Sequence, residues 1–311
     1  MRPETTPPED GTLCTVCRRL PTRCSYCDRE VEGRFKRYET GEVLCSGCEF
    51  LLPPCARCGK RCQGGPRKDG LTLCPDCAKQ VVPCRACGKP IVGEAVFLPS
   101  APARKFHRAC FDQGERCDAC EEPVALGGRR LPDGRLICAT CQETLVTTPE
   151  QVLRLEEKIK KIAFQEIGLR FTHAVSFHLA DAKEVAQLAG TQFVATPGFD
   201  ERTQGLFVRQ GDSYRIHVED HLPLAITARV LSHELGHAWQ AENCPDGQGK
   251  LLREGFAEWV AWRVLRALGY AREVARMEAR TDVYGQGLAK MRQIERERDV
   301  AGLLEWVRRV V

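Results

Sequence analysis

The run Ala228-Arg-Val-Leu-Ser-His233-Glu234-Leu-Gly-His237-Ala-Trp239 decides how the C-terminal half of this chain is built. Its flanks, Ala228 to Leu231 and Ala238-Trp239, are apolar and helical in character, so the residues between them lie on a helix. There the two histidines, four apart, project from one face and can share a single Zn2+ through their imidazole nitrogens. Glu234 stands beside that ion, where a carboxylate can take a proton from water. The spacing is H-E-x-x-H. Five residues are short enough to arise by chance, so the surrounding sequence carries part of the reading.

A third ligand stands at a suitable distance. Sixteen residues separate His237 from Glu254, which opens Glu254-Gly255-Phe256-Ala257-Glu258 near the start of the next predicted helix. A carboxylate from a second helix completes a set of two histidines and one glutamate and leaves a fourth position for water. Glu258 lies one turn further on the same face, so it could instead hydrogen-bond a ligating histidine. By spacing alone, either glutamate can be the ligand. The Glu-Gly-Phe-Ala string resembles the third-ligand helix of zinc aminopeptidases and their relatives, the gluzincins, and that resemblance implies Glu254. The expected reaction is peptide hydrolysis, with Glu234 taking a proton from zinc-activated water and later protonating the leaving amine. An oxyanion donor is also required, and His217, His221, Tyr270 and Tyr284 are the candidates.

Working outward, Pro223 opens the long helix that carries the motif. Val175 to Leu179 alternates like a half-buried strand, Asp181 to Ala189 reads as a short helix, and Gly205 to Val208 and Tyr214 to Val218 read as strands. Upstream, Thr148 is a helix cap with Pro149 at the first helical position and Gln151 as capping-box partner. Val152, Leu155, Ile159 and Ile162 then share one face. The predicted fold class is α+β, with a gluzincin-type domain of small sheet and mostly helical remainder over residues 147–311.

The composition changes near residue 146. Eighteen of the 19 cysteines lie between Cys14 and Cys141, whereas all four tryptophans lie in the second half. The N-terminal half is too poor in large apolar residues to offset the entropy of ordering its chain, so cross-links must help. The opening Met1-Arg-Pro-Glu-Thr-Thr-Pro-Pro has no apolar signal segment and no run approaches a membrane span, which points to a reducing, cytoplasmic setting and to metal rather than disulfides.

The ligands pair as Cys24/Cys27 with Cys45/Cys48, Cys55/Cys58 with Cys74/Cys77, Cys84/Cys87 with His107/Cys110, and Cys117/Cys120 with Cys138/Cys141. Every knuckle is C-x-x-C or H-x-x-C, and six residues separate each module from the next, so the array is an internal repeat of four closed zinc sites. With the open site, the expected complement is one catalytic and about four structural zinc ions. Cys14/Cys17 is an orphan knuckle in a lead-in spanning 1–23; two four-cysteine modules fill 24–80 and a further pair fills 81–146. Cys62 and Cys244 read as bystander thiols.

Residues Cys84 to Cys141 resemble a LIM domain, with one departure: six residues, not two, separate the two sites. LIM domains mostly bind proteins, and that is what the resemblance implies for the array. The catalytic half is similar to the LIM-domain-containing DA-type zinc peptidases, first known from plants as limiters of organ size. The match runs through Leu222-Pro223, His233-Glu234-x-x-His237-Ala238-Trp239, Glu254-Gly255 and Asp282-Val-Tyr284-Gly285-x-Gly287. It implies endopeptidase cleavage of regulatory proteins, ubiquitin-pathway proteins among them, and it favours Tyr284 as the oxyanion donor. No acidic helix with a ubiquitin-interacting pattern is present, and the modules are more numerous than the family's LIM region. A net charge of +4, well interspersed, gives no footprint for nucleic acid. The expected partners are protein substrates, recruited or kept out by the array; the alternative is an inactive zinc-module scaffold.

Overall fold

A C-x-x-C knuckle closes a tight turn, and in this computed structural model each turn requires a left-handed residue directly after it. Asp28, Gly59, Gly88 and Glu121 occupy that position at φ of 54°, 72°, 72° and 62°. The described residues are 23–31, 34–37, 41–62, 70–98, 101–124, 127–194 and 203–310, so the orphan pair Cys14/Cys17 lies outside them. The closing knuckle is equally regular. Its first ligand, Cys45, Cys74, His107 or Cys138, caps a short helix that carries the second.

Two compact units divide the chain. One ends at Pro83 and takes in Gly88–Glu94; the other comprises Cys84–Cys87 and Ala95–Val311. In the first unit, β1 (Phe35–Arg37) pairs antiparallel with β2 (Val43–Cys45), followed by α1 (Ser46–Leu51) and, in the second module, α2 (Pro75–Gln80). Its apolar cores are small: Leu44 and Leu52 against Cys24 and Cys48, then Leu73 against Cys55 and Cys62.

The second unit begins with two more modules, built from β3 (Ala95–Val96), β4 (Phe106–His107), α3 (Arg108–Gln113), β5 (Arg129–Arg130), β6 (Leu136–Ile137) and α4 (Ala139–Gln142). After β7 (Leu145–Val146) comes α5 (Pro149–Lys161), whose capping box is formed as predicted, with Gln151 Oε1 accepting from the Thr148 N–H at 3.0 Å. A π-helical turn, Ile162–Ile167, extends α5 and ends at Gly168 with φ 88°. The remaining elements are β8 (Ala174–Ala180), α6 (Ala182–Leu188), β9 (Gly205–Gln210), β10 (Ser213–Glu219), β11 (Leu222–Pro223), α7 (Leu224–Asn243), α8 (Lys250–Ala267), α9 (Ala271–Glu278) and α10 (Val283–Arg309), the last broken at Asp299.

The sheet order is β8-β10-β9, with β10 parallel to β8 and antiparallel to β9. Strand alternation aims Tyr214, Ile216 and Val218 into the core and His217 to the other face. Trp239, Phe256 and Trp259 pack in series between α7 and α8, with ring centroids 4.9 and 5.7 Å apart. Among the described residues, no helix is long and apolar enough to cross a membrane.

Composition suggests a boundary at residue 146, but the fold does not divide there. β11 pairs with β7, placing Leu222 opposite Val146, and the Leu224 N–H at the head of α7 donates to Thr144 O at 2.8 Å. Cys117, Ala119, Ile137 and Val146 share one core with Leu231, Leu235 and Trp259. The fourth module is therefore part of the helical unit, and cutting the chain at 146 would open that core.

Candidate metal centre

Helix α7 delivers His233 and His237, and α8 delivers Glu254. Their ligating atoms converge: the two Nε2 atoms are 3.1 Å apart, and each lies 3.3 Å from Glu254 Oε2. Ligands bound tetrahedrally at 2.0–2.1 Å stand about 3.3–3.4 Å apart, so the three atoms have the spacing of one face of a zinc tetrahedron. The outer nitrogens fix the tautomers. His233 Nδ1 lies 3.0 Å from Glu258 Oε2, and His237 Nδ1 lies 3.0 Å from Gln240 Oε1. Both partners accept, so both Nδ1 atoms carry the proton and both Nε2 lone pairs face Glu254. Three acceptors pressed together need a cation or a proton between them. The same contacts act on the imidazole: burial lowers His233, but the hydrogen bonds to Glu254 and Glu258 outweigh it and push it up to about 9. Burial likewise opposes ionisation of Glu254, yet both histidines hold it well below the usual carboxylate range.

Glu234 is half-buried, and desolvation pushes its carboxyl upward despite the nearby histidines. Its Oε2 accepts from the Phe207 N–H of the edge strand β9 at 3.1 Å, which pins it beside the centre. Tyr284, at the head of α10, places its ring 6.0 Å from that of His233, under the Arg280 guanidinium at 4.5 Å. Burial and the Glu254 charge raise its phenol, so it keeps a proton to donate at neutral pH. The other three oxyanion candidates stand elsewhere. His217 stacks on His178 across the opposite face of the sheet, His221 pairs with Asp220 in the turn after β10, and Tyr270 caps α9.

Helix spacing alone would not let Glu254 reach the histidines; the helices must nearly touch. A Cβ on Gly236 would meet Ala257 Cα at 2.7 Å, and Cβ atoms on Gly255 and Gly287 would meet each other's backbone at 2.5–2.7 Å. The glycines of H-E-L-G-H, Glu-Gly and Gly-x-Gly thus set the crossings of α7, α8 and α10. Gly287→Ala is expected to displace α10 from α8 and to cost about 1–3 kcal/mol of stability, as overpacking does. A thermal midpoint equal to wild type would remove this account of the glycine.

The four cysteine-rich sites fit the same test. Within each, one ligand atom per residue falls within 4.8 Å of all the others. Cys58 and Cys74 sulfurs are 3.9 Å apart and those of Cys120 and Cys138 3.7 Å, against about 3.8 Å for sulfurs bound at 2.3 Å to a tetrahedral ion. His107 presents Nδ1, 3.4 Å from Cys87 Sγ. In the first module, backbone N–H groups led by that of Cys45 hold Cys24 down at about 6, while hydrogen bonding to Cys27 and burial push Cys48 up to about 12. Sulfurs this crowded do not all ionise without a cation. Cys62 is buried in the second module's core, and Cys244, pushed up to about 11 by burial, ends α7; neither joins a metal-binding cluster among the described residues.

Spacing shows Glu258 as a possible support for His233, but Gln240 and Arg280 escape it. Gln240 lies three residues after His237 on the same helix and was open to detection. Arg280 reaches Glu258, at 3.6 Å, only through the turn between α9 and α10.

Compared with known families, residues 84–149 match the model of the LIM domain. No curated protein and no solved structure matches the chain. The chain therefore carries a LIM domain among several cysteine-rich clusters able to bind zinc, modules suited to protein interaction.

Proposed function

We propose that the chain is a zinc-dependent peptidase, related to the LIM-domain-containing DA-type peptidases, that hydrolyses peptide bonds within protein substrates. The observation that carries this reading is the convergence of His233, His237 and Glu254 on one point, with the Glu234 carboxylate held beside it by the Phe207 N–H. Bound there, Zn2+ supplies a Lewis acid that polarises a carbonyl and acidifies water. The residues do the rest. Glu234 takes the proton of the attacking water and hands it to the leaving amine. The Tyr284 phenol donates to the carbonyl oxygen as its charge develops. Glu258 and Gln240 hold the two imidazoles in the tautomer that ligation needs.

The LIM domain favours recruitment of a protein partner, and ubiquitin-pathway proteins are the substrate class that the family likeness suggests, in a cytoplasmic setting and without nucleic acid. A protein-interaction scaffold is the second reading, favoured by the LIM match. Elemental analysis of wild type and Glu254→Ala, with casein cleavage followed in parallel, separates the two. Five clusters predict about five zinc ions in wild type. The variant should lose one ion and all cleavage. Four ions in both proteins with no cleavage would overturn the peptidase and leave the scaffold.

A further inference from the structure

We infer that the fourth zinc module is a positioning element of the His233/His237/Glu254 centre, acting through an ion relay from its opening knuckle across α9 to α7. The inference rests on the metal-site reading of those three residues, but not on the reaction they perform.

The knuckle itself is the first observation. The left-handed position after the opening pair is Asp28 in the first module and glycine in the second and third, and in the fourth it is Glu121, at φ 62°. L side chains rarely adopt that conformation, and such outliers persist where the surrounding structure uses them. Here Glu121 Oε1 accepts from Arg276 Nη2 of α9 at 3.0 Å, and Arg276 Nη1 donates to Ala119 O, inside the knuckle, at 3.1 Å. The neighbouring Glu122, only 5% exposed, bridges Arg104 at 2.6 Å and Arg272 of α9 at 2.5 Å.

From α9 the charges continue inward. Arg276 Nη1 lies 3.2 Å from Glu273 Oε2, and Glu273 Oε1 lies 3.1 Å from Arg229 Nε. Arg229 sits on α7 one turn before His233, the ligand whose Nδ1 is held by Glu258, and Arg280 approaches that same carboxylate at 3.6 Å. The relay therefore joins a structural zinc knuckle to the helix that carries His233 through alternating charges on three elements. The other end of the module is clamped too: Arg135, fully buried, pairs with buried Glu219 at the end of β10 and with Asp220 at 3.0 Å. A rigid module fixed at both ends sets where α9 and α7 stand.

Full-length Glu121→Gly and Arg276→Met test this by competition with a mild chelator that strips the open site and spares the thiolate sites. Glycine suits the left-handed turn, so Glu121→Gly should keep four tightly held ions and a module midpoint at or above wild type. Its affinity for zinc at the open site should nonetheless fall by roughly 5- to 30-fold, and Arg276→Met by at least as much. Restoration of part of the loss by Arg276→Lys would mark charge pairing rather than packing. Wild-type affinity in Glu121→Gly, whether or not Arg276→Met is impaired, would overturn the relay. A wild-type protein holding only four ions would instead remove the metal-site reading itself.

Discussion

Glu234→Gln is expected to keep its full complement of zinc and to lose peptide hydrolysis by a factor of about 100 to 10,000, the range that a positioned general base contributes. The two side chains have the same shape, and the amide oxygen of glutamine can still accept from the Phe207 N–H, so the hydrogen bond that pins the residue to β9 survives. What vanishes is the ability to hold a proton between water and the leaving amine. Because burial disfavours the Glu234 carboxylate, replacing it with a neutral amide should also cost no stability. The measurement is casein or peptide turnover with zinc content and thermal midpoint determined on the same sample. Turnover within a fewfold of wild type, with zinc retained, would remove Glu234 from the chemistry and with it the proposed mechanism. Tyr284→Phe is the natural companion: it removes one donor and leaves the ring against His233, so its loss should be smaller and confined to turnover.

The parts legible in the sequence are those whose physics is local. The H-E-x-x-H helix, the Thr148 capping box and the strands around Phe177 and Ile216 each rest on spacings of two to four residues, and the structure forms all of them. The four cysteine clusters were legible for a related reason, since each ligand announces itself by type. Contacts set by tertiary packing were not. Arg135 and Glu219 are 84 residues apart and look like ordinary surface charges, yet both are buried against each other. Nothing local distinguishes Val146, whose pairing with Leu222 ties the module to the head of α7, and the composition step beside it suggests a linker instead. His217 shows the opposite error. Its chemistry suits an oxyanion donor, but strand alternation decides the face, and the buried triplet Tyr214, Ile216 and Val218 sends it away from α7. Gly255 and Gly287 are intermediate: each belongs to a recognisable string, but only the crossing of α8 and α10 explains why a side chain is excluded.

Stripping the structural zinc should act on the two units in different ways, with the first unit losing its fold outright. Its cores hold Leu44, Leu52 and Leu73 and few other apolar side chains, each contributing about 1.5–3 kcal/mol, while ordering each residue of the modules costs about 1–2 kcal/mol. A structural zinc site contributes on the order of 10 kcal/mol, enough to reverse the balance, so without it the modules have no stable fold. In the second unit, Trp239 and Trp259 lie in a large core of which the fourth cluster's cysteines form only one part. A strong chelator at neutral pH is therefore expected to free the backbone at Arg29, Arg57 and Arg61 for cleavage by trypsin within minutes, while tryptophan emission stays that of a buried indole. Loss of the fourth module's ion should then loosen the core around Ala119 and Val146, because those residues pack with Leu231 and Leu235, and should appear as a lowered thermal midpoint rather than as unfolding. Acidification should have the same order of effects, since thiolate ligands take up protons and release the metal as pH falls. A first unit that resists trypsin after complete zinc removal would mean that its fold is held by contacts other than the metal. Simultaneous collapse of the tryptophan signal would mean that the helical core is no more autonomous than the modules.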